Sequence, residues 1–131
     1  MKNEVGLWIN YKHAVIVIVL DDGQEEIKEI AFNIDKNSSN ALQMDDVSKE
    51  DRKKALIIER KRYYDDVISY LRNTNAVLIM GPGKAKVELQ KRLIIHGFDD
   101  QTVVVKAAKK MTEKQIIEDV HRYFRKTQYG L

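Results

Sequence analysis

The segment Ala76-Val77-Leu78-Ile79-Met80, running straight into Gly81-Pro82-Gly83-Lys84, constrains this chain more than any other. Five apolar residues in succession leave no polar face to meet water, so the run is expected to be a strand buried on both sides, in the middle of a sheet. Pro82 has no N–H to give a ladder and glycine accepts backbone angles that other residues avoid, so the strand is expected to stop at Gly81. Beyond it Val87, Leu89, Leu93 and Ile94 recur at helical spacing among Lys84, Lys86, Glu88, Gln90, Lys91 and Arg92. Strand, tight turn and helix follow one another without a linker. In a parallel sheet this leaves a strand's carboxyl end beside a helix N-terminus, whose free N–H groups and dipole favour anions. Gly81, Pro82, Gly83, Lys84 and Lys86 are therefore the first candidates for an anion site.

Three more strand signals precede this unit. Val5, Leu7 and Ile9 alternate with Gly6, Trp8 and Asn10, and Tyr11-Lys12-His13 forms a connection. Ala14–Leu20 is β-branched almost throughout. Asp21-Asp22-Gly23 carries a hairpin signal, and the return from Glu26 to Ile34 alternates at Ile30, Phe32 and Ile34. The chain is thus expected to open as a three-stranded antiparallel meander, followed by a polar, turn-rich loop from Asp35 to Val47. Ser48 is a good N-cap, with Asp51 three residues on, for a helix reaching about Arg72 with Leu56, one of Tyr63 and Tyr64, Val67, Ile68 and Leu71 inward. The helix after Gly-Pro-Gly is expected to stop at Gly97, and Gln101–Lys106 to form a fifth strand. Thr112 with Gln115 makes a capping box and Met111 with Ile116 a hydrophobic staple, so the last helix is expected to start at Glu113, with Ile116, Ile117, Val120, Tyr123 and Phe124 inward.

The order β-β-β-α-β-α-β-α, with right-handed crossovers, predicts an α/β fold: a single domain over residues 1–131 with a five-stranded mixed sheet and helices on both faces, the ribonuclease H-like arrangement. A length of 131 residues suits one core without disulfides or metal. The chain has no cysteine, which removes disulfides and thiolate metal sites and fits a reducing compartment, with the cytoplasm as the default. No apolar run approaches the roughly 18 residues of a membrane span, and Met1–Val5 lacks the apolar core of a signal peptide. The net charge of +3 conceals a division: residues 1–51 carry five Lys against eleven Asp and Glu, while residues 52–131 carry eighteen Lys and Arg against nine acids. Segregated in space, such charge would give one face that attracts polyanions. The basic triplets Arg52-Lys53-Lys54 and Arg60-Lys61-Arg62 on the first helix suit phosphate contacts, and Tyr63-Tyr64 offers a base-stacking platform if one ring does not turn into the core.

Catalytic patterns are missing. A nuclease of this fold needs clustered carboxylates for two magnesium ions, one of them in the first strand, and Val5–Asn10 has none. Gly81-Pro82-Gly83-Lys84 is too short for a phosphate loop, and Ala85 replaces its magnesium-binding hydroxyl. His13, His96 and His121 lack metal-ligand spacing. No cofactor is expected.

Gly6-Leu7-Trp8-Ile9-Asn10 through Leu20, the helical Glu59-Arg60-Lys61-Arg62-Tyr63-Tyr64 and the Val77–Leu89 unit with its Gly81-Pro82-Gly83-Lys84 turn together resemble the middle domain of archaeal and eukaryotic class-1 peptide-chain release factors and of Pelota, and small bacterial proteins built on it. The resemblance spans nearly the whole chain. It implies a role in translation or ribosome-associated quality control, with the ribosome, rRNA or tRNA as partner. Release factors of this family act through a Gly-Gly-Gln tripeptide in the loop that corresponds to Asp35–Val47. Here that loop has no glycine, and its only glutamine, Gln43, lies between Leu42 and Met44. Without glycines to shape the backbone, Gln43 has no basis for that role. The resemblance therefore implies the Pelota-like case, a release-factor shape without peptide release. An alternative is a protein-interaction or oligomerisation module without RNA contact, pairing through edge strands and loop residues such as Leu42 and Met44.

Overall fold

A computed structural model describes residues 3–32, 48–99 and 102–128. Gln43, and with it the loop from Asp35 to Val47, lies outside the described residues. Strands β1 (Asn3–Ile9), β2 (His13–Val19) and β3 (Glu25–Ala31) are followed by α1 (Lys49–Ser69), β4 (Thr74–Gly81), α2 (Ala85–Ile95), β5 (Val103–Ala107) and α3 (Glu113–Gln128). The five strands form one sheet in the order β3-β2-β1-β4-β5. β1–β2 and β2–β3 are antiparallel, β1–β4 and β4–β5 parallel. The fold is α/β and matches the ribonuclease H-like arrangement.

β4 lies between β1 and β5, and its run Val77–Met80 is buried throughout, as an uninterrupted apolar strand requires. Alternation divides the core. Val5, Leu7, Ile9, Ile16, Val77 and Ile79 face α1 and α2, while Trp8, Val15, Val17, Leu78 and Met80 face α3. Gly6 also faces α3, and a Cβ there would stand 2.4 Å from Val120 Cγ2, so the missing side chain lets α3 lie close against β1.

The helices begin where their caps place them. Ser48 Oγ accepts from the Asp51 N–H at 3.1 Å. At α3 the Thr112 N–H donates to Gln115 Oε1 at 2.9 Å and the Gln115 N–H to Thr112 Oγ1 at 3.2 Å, the reciprocal capping box. The helix before β4 differs from expectation at its N-terminal half. Leu56, expected inward, is 39% exposed, because burial on α1 begins only at Glu59.

Candidate functional site

Parallel pairing brings the carboxyl ends of β1, β4 and β5 to one edge of the sheet, and three connections leave from it. Gly81 closes that edge. Its φ of 153° and the 2.1 Å separation between an added Cβ and the Ile9 carbonyl oxygen admit no other residue. The Ala108 N–H donates to the Gly81 carbonyl at 3.1 Å and Trp8 Nε1 to the Lys109 carbonyl at 2.9 Å, so the β5–α3 connection is tied across the ends of β4 and β1. Lys12 from the first connection, Lys84 and Lys86 from the second, and Lys109 and Lys110 from the third consequently share this edge. All but Lys86 are exposed, and Lys86 Nζ donates to the Gly83 carbonyl. Pro82 and Gly83 are exposed, and Gly83 holds a φ of 65°. Lys84 is the N-cap of α2, and its carbonyl accepts from the N–H groups of Val87 and Glu88, both at 3.0 Å.

Beside this edge a polar network fixes the β1–β2 turn against both helices. Tyr11 Oη donates to Glu88 Oε2 at 2.6 Å and Tyr64 Oη to Glu88 Oε1 at 2.8 Å. Tyr63 Oη donates to the Asn10 carbonyl at 3.0 Å. Arg60 donates to the Tyr11 carbonyl, and its guanidinium lies 4.4 Å from the centre of the Tyr11 ring and 4.0 Å from that of Phe32. Burial pushes the Tyr63 phenol far above its ordinary value. Burial first, and then the hydrogen bond to Glu88, does the same for Tyr64. The Glu88 bond is the main cause at Tyr11. All three hydroxyls therefore stay protonated donors at neutral pH. Tyr63 and Tyr64 are each only 3% exposed, so neither ring is open for base stacking.

The two basic triplets of α1 differ in what their side chains already do. Arg60 is held on Tyr11 and Phe32, and Arg62 Nη1 lies 2.8 Å from Glu59 Oε1. Lys53, Lys54 and Lys61 are exposed, while Arg52 is half-buried. Between the triplets Leu56, Ile57 and Ile58 are 39%, 55% and 52% exposed, three successive apolar side chains facing outward. Lys12, Lys109 and Lys110 join the edge without belonging to any of the basic motifs of the sequence. The signal for the last two was present, since a connection following β5 must leave from the same edge as Gly81 once β5 is placed parallel to β4.

Among the described residues no three His, Asp or Glu side chains converge to hold a metal. His13 packs its ring 5.4 Å from that of Trp8, His96 Nε2 lies 3.0 Å from Asp65 Oδ1, and His121 Nε2 lies 3.1 Å from Glu25 Oε2. No helix among the described residues is long and apolar enough to cross a membrane.

A five-stranded mixed sheet of ribonuclease H-like arrangement, with lysines on the three connections that leave one of its edges, defines the class as an α/β domain. Within that class the fold resembles Pelota. Pelota from Archaeoglobus fulgidus superposes with a TM-score of 0.54 at 17% identity, over 96% of this chain and 35% of its own. Pelota from Thermoplasma acidophilum gives 0.52 at 16% identity, over 90% of this chain and 31% of its own. An archaeal translation termination factor, aRF1, gives 0.47 at 14% identity, over 97% of this chain and 40% of its own. The chain thus spans about a third of the length of the Pelota chains it matches. No family model matches the sequence, and no curated protein does. The likeness is one of fold, to Pelota.

Proposed function

We propose that this chain is a non-catalytic, translation-associated domain that docks on rRNA or tRNA through its lysine-bearing sheet edge. The observation that carries the reading is the convergence of Lys12, Lys84, Lys86, Lys109 and Lys110 from three separate connections onto one edge of a Pelota-like fold. Cations gathered on one edge neutralise phosphates and position a backbone without reading bases. Glu88, the carboxylate nearest to them on α2, already accepts two phenolic hydroxyls and so is turned into the network rather than toward an incoming phosphate. Lys53 and Lys54 extend the positive surface along the first turns of α1 toward the same partner, with Arg52 beside them. Docking of this kind belongs in the cytoplasm, where ribosomes are.

Sedimentation of cell lysate through sucrose tests the reading. At low potassium the protein is expected to migrate with ribosomes or tRNA, and to return to the top as salt rises, because counterion release dominates phosphate contacts. A variant combining Lys84→Glu, Lys86→Glu, Lys109→Glu and Lys110→Glu is expected to stay at the top even at low potassium. Wild-type protein that never leaves the top of the gradient, or a quadruple variant that sediments unchanged, would sink the proposal.

A further inference from the structure

The sheet edge accounts for lysines but not for the apolar side chains that α1 and α2 turn outward. Between these helices runs an open cleft of about 440 Å³, lined by Leu56, Ile57 and Lys61 from α1 and by Lys91 and Ile95 from α2. Ile57 is 55% and Ile95 73% exposed, a state that costs free energy unless something covers them. The lining follows helical spacing on both walls: Ile57, Arg60, Lys61 and Tyr64 on α1, and Glu88, Lys91, Arg92 and Ile95 on α2.

The charges in the cleft are unequally satisfied. Glu88 accepts from Tyr11 and Tyr64. Beside the cleft, Asp65 is bound by the lining residue Arg92 through two hydrogen bonds of 2.8 and 3.0 Å and by His96 at 3.0 Å. Both carboxylates are therefore occupied from within. Lys61, Lys91 and Arg60 have no carboxylate partner among the described residues. The cleft thus presents exposed apolar side chains beside positive charge that no carboxylate partner answers. Phosphates would leave the isoleucines unused. A bilayer is flat and does not enter a concave seam between two helices. An α-helix, about 10 Å across with its side chains, fits such a seam and carries apolar and charged residues at matching intervals.

We propose that the cleft between α1 and α2 is the docking groove for an acidic amphipathic helix of a partner protein. Its apolar residues, at spacings of three, four and seven, cover Leu56, Ile57 and Ile95, while flanking Asp or Glu side chains meet Lys61, Lys91 and Arg60. The site is separate from the lysine edge, so the two proposals stand or fall independently.

Selection from a display library of helix-forming peptides of about 14 residues, four turns, on the full-length chain tests this. Enriched peptides are expected to share the apolar spacing and to be net acidic. A fluorescein-labelled peptide resynthesised from the pool is expected to lose about tenfold in affinity on Ile57→Asp or Ile95→Asp, whose exposed positions leave the fold intact, as an unchanged melting temperature verifies. Lys61→Glu with Lys91→Glu is expected to weaken that peptide and to favour its lysine-for-glutamate counterpart. The combined Lys84, Lys86, Lys109 and Lys110 variant is expected to bind it unchanged. An empty selection, an enriched pool without acidic bias, or affinity indifferent to Ile95→Asp overturns the proposal. So does self-association of the chain that Ile95→Asp abolishes, which would assign the groove to a second copy. Peptide binding that emerges only when residues 36–46 are replaced by a Gly-Ser linker would likewise overturn it, assigning the groove to the chain's own segment.

Discussion

The two faces of the sheet are covered by different means. α3 lies on one face through an apolar layer, drawn in at Gly6, where no side chain separates β1 from Val120, with His121 on Glu25 as a polar tie at the outer strand. α1 and α2 cover the other face with an apolar layer that ends in polar ties at the carboxyl edge of the strands, where Glu88, Tyr11, Tyr63, Tyr64 and Arg60 hold one another. The difference separates support from presentation. The α3 face depends on shape at one point, whereas the α1–α2 face uses exposed and half-buried hydrogen bonds to position a turn and two helix surfaces beside the lysine edge.

The sharpest way to break that contrast is Gly6→Ala. The added Cβ meets Val120 Cγ2 at 2.4 Å and Cγ1 at 2.8 Å, and a β-branched side chain in a helix has little rotamer freedom to move aside. A loss of about 3 kcal/mol in urea unfolding is expected, at the upper end of ordinary overpacking. Val120→Ala in the same chain is expected to recover most of it. Equal losses in the single and double variants would show that α3 does not rest on this contact.

Glu88→Gln acts on the other face and is expected to cost about 1.5 kcal/mol, the worth of a hydrogen bond to a charged acceptor. A double-mutant cycle with Tyr64→Phe isolates the half-buried bond, and a coupling near zero would mean that Tyr64 is held by packing rather than by Glu88. A further outcome distinguishes the faces: loosening the network is expected to speed hydrogen exchange in the Tyr11–His13 turn, while Gly6→Ala leaves that turn's exchange in step with global unfolding.

How much of this was legible in the sequence depends on range. The buried run Ala76–Met80, the hairpin at Asp22-Gly23 and the Thr112–Gln115 capping box are local patterns, and the structure has β4, the β2–β3 turn and the start of α3 where they require. Leu56 was misplaced because a helical period shows which residues share a stripe but not where along the helix the sheet begins to cover it. Tyr63 and Tyr64 are adjacent and were expected to divide between core and surface. Both are buried because the second hydroxyl finds Glu88 on another helix, a partner no local pattern reveals. Lys109 and Lys110 gain their place only when β5 pairs parallel to β4. The Gly81–Lys84 turn was recognised from its residues, and its neighbours were supplied by topology.

The smallest expected effect concerns the seam between α1 and α2. Asp65 on α1 is held by Arg92 on α2 and by His96 just past its end, and the Arg92 hydrogen bonds, followed by the contribution of His96, keep its carboxyl below the ordinary aspartate value. A carboxyl whose pKa is lowered by folding adds stability above its unfolded value and loses it as pH falls through the folded one. Asp65 is 39% exposed, so solvent screens the pair and the contribution is expected to be below about 1 kcal/mol. Unfolding of the wild type and Asp65→Asn, each in a His96→Gln background to remove imidazole titration, is expected to show the difference at neutral pH. That difference should fade once pH drops below the usual aspartate range. The penalty of Gly6→Ala, being steric, is expected to keep its size through the same range. A parallel pH dependence in both variants would mean that acid loosens the whole sheet together, and the division between a face held by shape and a face held by charge would fail.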